Sequence, residues 1–303
     1  MTELALITKR LDTFFEIKKL TDPSFSKWIP ELYSKEKVNW QNYFEKDFNT
    51  YFNGLMMQGS DNVKSVFASV FPTEEVLTNF IKRGSSGDLL FLHHPLHMLC
   101  GDPKGAWGKF FVPIPKNLLD KIKKKKLSVY SCHAPLDYNK KVSTSLAIVE
   151  ALDGKVVGEF FPYGNGNAGL IYKIKSISTK SLIEKCKSMF GVKYVDFEGK
   201  MHDKITKVAT VGGCGDVVKY MKDAESHGVH TYLTGEIHTR VDNDYGRKRY
   251  AEVMDYVKYT KMSLIGVSHA ASEYFVMKTQ IKDWFKKEFN INIKLLPMKK
   301  WWC

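Results

Sequence analysis

Seven of the nine histidines fall at or near the ends of apolar, strand-like runs. Three local patterns among them combine residue types that bind metals. The first is His93-His94-Pro95-Leu96-His97, directly after the apolar run 88–92. Adjacent residues at a strand exit point in different directions, so such a doublet can serve two neighbouring ions. Pro95 restricts the backbone there and fixes the exit. The plainer alternative is a polar turn with one satisfied histidine. The second pattern, His133-Ala134-Pro135-Leu136-Asp137, ends the run 127–132. Asp137 can bridge two cations through its two oxygens, or simply cap the helix that follows. The third is His269 with Glu273, at i and i+4, which a helix places on one face. Ser268 can cap that helix, and the plainer alternative is a surface His–Glu pair.

Together these residues offer two or three imidazoles and two carboxylates, with no thiolate required. That donor set suits Zn, Mn, Fe, Co or Ni better than a thiolate-rich structural zinc site. Five ligands are too few to saturate two ions, so positions for water or substrate would stay open. A pair of ions of this kind clamps a substrate and generates hydroxide near neutral pH.

The elements that must position these groups can be read from periodicity. Residues 1–50 are mainly helical in pattern, with Pro23 and Pro30 expected to break it. From about residue 51 strands and helices alternate. Strands are expected at 65–71, 88–92, 127–132, 205–211, 229–233, 263–267 and 291–296. Thr73 is expected to cap a helix running to about Arg83, with Glu74 and Glu75 in its first turn. Further helices are expected near 141–152, 216–227, 249–259 and 270–288. Gly212-Gly213-Cys214-Gly215 is expected to be a tight turn, and Thr234-Gly235-Glu236 the exit of its strand. Alternation of this kind predicts an α/β fold with functional groups at strand ends.

Composition sets outer bounds. The 303 residues carry 44% apolar and 26% charged residues, ordinary for a globular chain and enough for about two domains. No run approaches the ~18 apolar residues of a membrane helix. No secretory signal is expected at the N-terminus. Cys100, Cys132, Cys186, Cys214 and Cys303 are scattered without a CxxC pair and are expected to be free thiols in a reducing cytoplasm. The net charge of +13 comes from two lysine-rich segments, 104–141 and 278–300, on an otherwise near-neutral chain. Lysine runs are usually solvated surface. The sharper reading is a surface for an anionic substrate or a polynucleotide.

The ordered motifs identify the chain as similar to the Nif-three-like (NGG-interacting-factor-three-like) proteins, whose bacterial members are known as GTP cyclohydrolase I type 2 homologues. The resemblance spans about residues 52–300. It begins at Tyr51-Phe52-Asn53-Gly54-Leu55-Met56 and Pro72-Thr73-Glu74-Glu75-Val76. It continues through His93-His94-Pro95-Leu96, His133-x-Pro135-Leu136-Asp137 and Gly212-Gly213-Cys214-Gly215. Leu233-Thr234-Gly235-Glu236-Ile237 and His269-x-x-x-Glu273 complete it. Residues 1–50 have no counterpart in that pattern, and Lys155–Lys204 is too short for the inserted domain of the family's longer forms.

The resemblance implies a Nif-three-like fold of two α/β halves with the metal site at strand exits between them. The expected division is 1–50 as a helical extension, 51–150 as the first half and 151–303 as the second. It implies two divalent metal ions per chain held by His93, His94, Asp137, His269 and Glu273. His133 and Glu236 are then candidates for acid–base or supporting roles, with His238 a candidate supporting or substrate group. It also implies a homo-oligomer, hexameric in relatives. The implied function is a metal-dependent hydrolase acting on a small anionic or phosphorylated substrate. The alternative is a non-catalytic metal-binding scaffold or regulatory partner that touches nucleic acid through its lysines.

Overall fold

A computed structural model describes residues 1–302, so the expectation for Cys303 lies outside the described residues. The chain divides into two units, neither continuous in sequence. The first comprises Met1–Met98, Phe111–Asn139 and Met277–Lys299. The second comprises Leu99–Phe110, Lys140–Val276 and the C-terminal residues from Lys300 onward.

The first unit is built on a five-stranded sheet in the order Lys294–Leu295, Val66–Ser69, Leu89–Leu92, Ser128–Ser131 and Gly54–Met57. Its pairings are parallel except the last. The three inner strands are buried along their whole length, which is why they read as continuous apolar runs rather than alternating ones. The helix Glu74–Arg83 begins as expected, with the Thr73 side chain accepting from Val76 N at 3.0 Å.

The N-terminal 50 residues form helices at Leu4–Phe14 and Phe25–Lys35 with short turns between. Pro30 does not break the second helix but sits inside it. It removes one backbone donor, while Phe25, Ile29 and Tyr33 bury one face at i, i+4 and i+8. The Tyr33 hydroxyl also accepts from Ile114 N at 3.1 Å, which anchors that face.

The second unit carries a six-stranded sheet in the order Asp196–Gly199, Ser263–Gly266, Thr231–Glu236, Ile205–Cys214, Gly166–Ile177 and Lys155–Tyr163. Its central pairs are parallel and its outer pairs antiparallel. The long hairpin Lys155–Tyr163 to Gly166–Ile177 and the helix Thr179–Phe190 lie in a span that the sequence left without elements. The expected tight turn at 212–215 is instead the end of a strand. Pairing continues to Cys214, opposite Glu236, with a register shift after Val211. Gly213, at φ +70°, absorbs the bulge. Thr234, Gly235 and Glu236 likewise stay within their strand.

Two helices differ in extent from expectation. Asp244–Val257 starts five residues earlier than the expected 249, because Asn243 caps it by accepting from Gly246 N at 2.8 Å. The expected helix 270–288 is three pieces: His269–Val276, a π-helical turn Met277–Ile281 and Lys282–Phe289. The chain re-enters the first unit at Met277, where the π turn begins. Among the described residues no helix is long and apolar enough to cross a membrane.

Candidate metal-binding clusters

In the first unit the strand Leu89–Leu92 delivers His93 and His94, and the strand Ser128–Ser131 leads to His133 and Asp137. All four residues are buried. His93, His94 and His133 each place a ring nitrogen within 4.8 Å of the others. Their rings are walled by Phe25, 5.7 Å from His94 and 4.6 Å from His133, and by Phe71, 4.6 Å from His94.

Hydrogen bonds decide which nitrogens face inward. His93 Nδ1 lies 2.8 Å from the Cys132 carbonyl oxygen. A carbonyl can only accept, so Nδ1 carries a proton, and in the neutral ring Nε2 presents a lone pair. Nε2 lies 3.4 Å from Asp137 Oδ1. A lone pair facing a carboxylate in buried surroundings is repulsive unless a proton or a cation lies with them. Asp137 is not a helix cap, since Ser143 caps the following helix Thr144–Ala151 by accepting from Leu146 N at 3.1 Å.

His133 is held from two sides. Its backbone N–H donates to Asn53 Oδ1 at 2.7 Å, and its Nδ1 lies 2.8 Å from Asp22 Oδ2. Asp22 is fully buried and accepts from Ser24 N and Phe25 N, both at 3.0 Å. Burial alone would raise the Asp22 pKa, but the His133 imidazole and these N–H donors outweigh it and hold the carboxyl below its ordinary value. The aspartate is therefore ionised and His133 carries its proton on Nδ1. A carboxylate behind an imidazole fixes ring orientation, as it does at metal sites. Asp22 escaped the sequence reading because it lies 111 residues from His133 and in the segment without family motifs.

In the second unit the strand Ser263–Gly266 runs through Ser268, at φ +81°, into the helix His269–Val276. The Ser268 hydroxyl donates to the Trp301 carbonyl. His269 Nε2 lies 2.9 Å from Glu273 Oε1, the i,i+4 pairing expected of a helix. Both residues are buried, so the pair is not a solvated surface contact.

The glycines of the second unit have a structural purpose. A Cβ on Gly213 would lie 2.4 Å from Glu273 Oε1 and 3.1 Å from His269 Nε2. A Cβ on Gly235 would lie 2.8 Å from His269 Cα. Only glycine lets this helix start so close to the strand ends.

Glu236 belongs to the same cluster. Its Oε2 lies 3.6 Å from His269 Nδ1 and accepts from Cys214 Sγ at 3.1 Å. Cys214 Sγ and Cys100 Sγ lie 3.2 and 3.4 Å from His269 Nδ1. Burial and the neighbouring Cys214 sulfur push the Glu236 carboxyl well above its ordinary range. The Cys100 hydrogen bond and His269 draw the Cys214 thiol well below its own, against the effect of burial. Burial opposes a charged His269, but Glu273 and Cys214 outweigh it and raise its pKa well above the ordinary value. The two cysteines were read from sequence as scattered thiols; strand pairing and the fold of 99–110 bring them to one ring nitrogen.

The remaining histidines are elsewhere. His238 faces Asp196 Oδ2 at 3.3 Å and Glu198 Oε1 at 3.8 Å, with its ring 4.8 Å from Tyr250. Burial lowers the His97 pKa to about 4, and His230 packs edge-on against His202.

These features define a mixed α/β protein with buried His, Glu and Cys groups that could hold a metal. The family model described as Duf34/NIF3 (NGG1p interacting factor 3) matches residues 43–300, and the chain belongs to that family. It is 25% identical over 262 residues to the "GTP cyclohydrolase 1 type 2 homolog" of Borreliella burgdorferi, covering 86% of this chain and 92% of that one. The protein of the same name from Archaeoglobus fulgidus is 26% identical over 188 residues, covering 61% and 69%. Among solved structures, "protein ybgI, unknown function" aligns with TM-score 0.68 at 15% identity, covering 99% of this chain and all of that one. "Reduced HcgD from Methanocaldococcus jannaschii" aligns with TM-score 0.62 at 18% identity, covering 98% of each. At these identities the structural likeness establishes the fold.

Proposed function

We propose that this chain binds divalent metal ions and uses them to hydrolyse a small anionic or phosphorylated substrate. The observation that carries the reading is the His93–Asp137 pair: a ring nitrogen 3.4 Å from a carboxylate oxygen, with both side chains nearly inaccessible. A cation between them turns repulsion into attraction. In this reading the ligands are those the family resemblance implies: His93, His94, Asp137, His269 and Glu273. The nitrogen and oxygen donors suit two ions per chain from among Zn, Mn, Fe, Co and Ni. When bound, such ions polarise a substrate and make hydroxide available near neutral pH.

The chain's own groups do the rest. Asp22 keeps the His133 Nδ1 proton in place, so His133 exchanges a proton at Nε2. Glu236, whose carboxyl burial pushes well above its ordinary range, is the candidate proton donor. Phe25 and Phe71 exclude water from the imidazoles of the first unit.

The name shared by the curated relatives makes a guanine nucleotide the first substrate to try. The family resemblance adds a homo-oligomer, hexameric in form. A polynucleotide partner has less support, because several lysines of the basic helix have local partners. Lys116 pairs with Asp120, and Lys125 donates to the Ile81 carbonyl. The test is a panel of nucleotides and phosphoesters with Mn, Zn, Fe and Co. Metal-dependent turnover that His94→Ala abolishes is the expected result. Absence of turnover on every substrate by protein that has taken up metal overturns the hydrolytic reading.

A further inference from the structure

The second unit contains two thiols, beside His269 and Glu236, that the histidine–carboxylate reading does not use. Four groups converge on one point: Cys100 Sγ, Cys214 Sγ, Glu236 Oε2 and His269 Nδ1. Cys100, Glu236 and His269 place their ligand atoms within 4.8 Å of one another. The separations from His269 Nδ1 are 3.4 Å to Cys100, 3.2 Å to Cys214 and 3.6 Å to Glu236. Cys214 Sγ lies 3.1 Å from Glu236 Oε2. Around a tetrahedral ion the distance between ligands is about 1.6 times the bond length, so bonds of about 2.0–2.3 Å give edges of about 3.3–3.8 Å. The measured separations lie at or just under those edges.

The backbone explains why the four atoms meet. Cys214 and Glu236 are register partners at the ends of two parallel strands, after a bulge that Gly213 permits. His269 opens the helix that glycines at 213 and 235 allow to approach those strand ends. Cys100 is buried, whereas Cys214 is partly exposed. His269 presents its other nitrogen to Glu273 at 2.9 Å, so its two ring atoms address different partners.

We propose that Cys100, Cys214, Glu236 and His269 Nδ1 form a thiolate-containing binding site for a zinc-class divalent ion. It shares His269 with the nitrogen–oxygen ligand set proposed above and uses the other ring nitrogen, so a neutral His269 serves one set at a time. Binding displaces the protons held by the two thiols and by the Glu236 carboxyl to solvent and leaves two thiolates, one carboxylate and one neutral nitrogen around the ion. Sulfur donors select Zn, Co(II) or Fe(II) over Mn and Mg, whereas the nitrogen–oxygen set does not discriminate in that way.

The test is a Co(II) titration of the full-length reduced protein, read by absorption. The expected result is a thiolate-to-cobalt charge-transfer band with tetrahedral d–d bands. The band falls in Cys100→Ser and Cys214→Ser, vanishes in the double variant, and survives in His93→Ala/His94→Ala. Survival there separates this site from the ligand set of the first unit. Zinc protection of the wild-type thiols gives a second readout that needs no variant. Zn(II) should slow alkylation of Cys214 by at least about tenfold while Mn(II) leaves it unchanged. Bound cobalt without the charge-transfer band, a Cys100–Cys214 disulfide in the purified protein, or equal alkylation with and without zinc overturns the proposal.

Discussion

The two units arrange histidine differently. In the first, three imidazoles gather behind strand ends, and each assigned Nδ1 proton goes to an oxygen: Cys132 carbonyl for His93, Asp22 for His133. In the second, the His269 imidazole lies among two thiols and two carboxylates. The first cluster is rich in neutral donors and walled by phenylalanines. The second is rich in anionic donors and crowded against glycine backbone. Metal affinity in the first therefore depends on how rings are oriented, and in the second on how much negative charge an ion neutralises.

The largest effect should come from removing ligands. His93→Ala/His94→Ala should abolish metal uptake by the first unit's donors while thiol protection by zinc in the second persists. Equilibrium dialysis with each variant checks this, and loss of both together would erase the distinction between the clusters.

Gly213→Ala comes next. Its Cβ collides with Glu273 at a backbone φ of +70°, and the strain should cost about 1–3 kcal/mol. Urea unfolding should show that loss, and zinc protection of Cys214 should weaken with it.

Asp22→Asn probes ring orientation. It keeps the size of the side chain but removes the charge behind His133. Outer partners of this kind typically contribute about 10–100-fold to metal affinity or activity. Metal-dependent turnover should fall by that amount, and thiol protection in the second unit should not change.

The metal-free protein should show the contrast in its pH dependence. Asp22 sits below its ordinary value of 3.8, so its contribution is complete above that pH and is lost as pH falls through the folded value. His269 sits well above 6.5, so its contribution is complete below that pH and is lost as pH rises. Urea midpoints of Asp22→Asn and His269→Gln should therefore approach the wild type at opposite ends of the pH range. The smallest effect belongs to Ser143→Ala, which removes a helix cap for about 1 kcal/mol and should leave metal binding intact.

Much of this arrangement is legible in the sequence because it is local. Buried runs before His93 and His133 mark strand exits, and His269 with Glu273 follows helical spacing. The Thr73 cap also needs only neighbouring residues. What escapes is set by distant partners. Nothing near Asp22 announces that its carboxylate will support a histidine 111 residues away. Cys100 and Cys214 lack CxxC spacing, and their meeting depends on a strand bulge and the path of residues 99–110. The glycines at 212 and 213 look like a turn because local propensity cannot see the helix that packs against them. Pro30 looks like a breaker because the buried face that holds its helix is tertiary.

The central claim is that these clusters are metal ligands. It is tested most directly by elemental analysis of reduced protein equilibrated with zinc and then freed of unbound metal. Wild type should retain metal, His93→Ala/His94→Ala and Cys100→Ser/Cys214→Ser should each lose a part, and the combined variant should lose more than either. Folded wild-type protein that retains no metal, or variants that retain as much as wild type, would contradict the account.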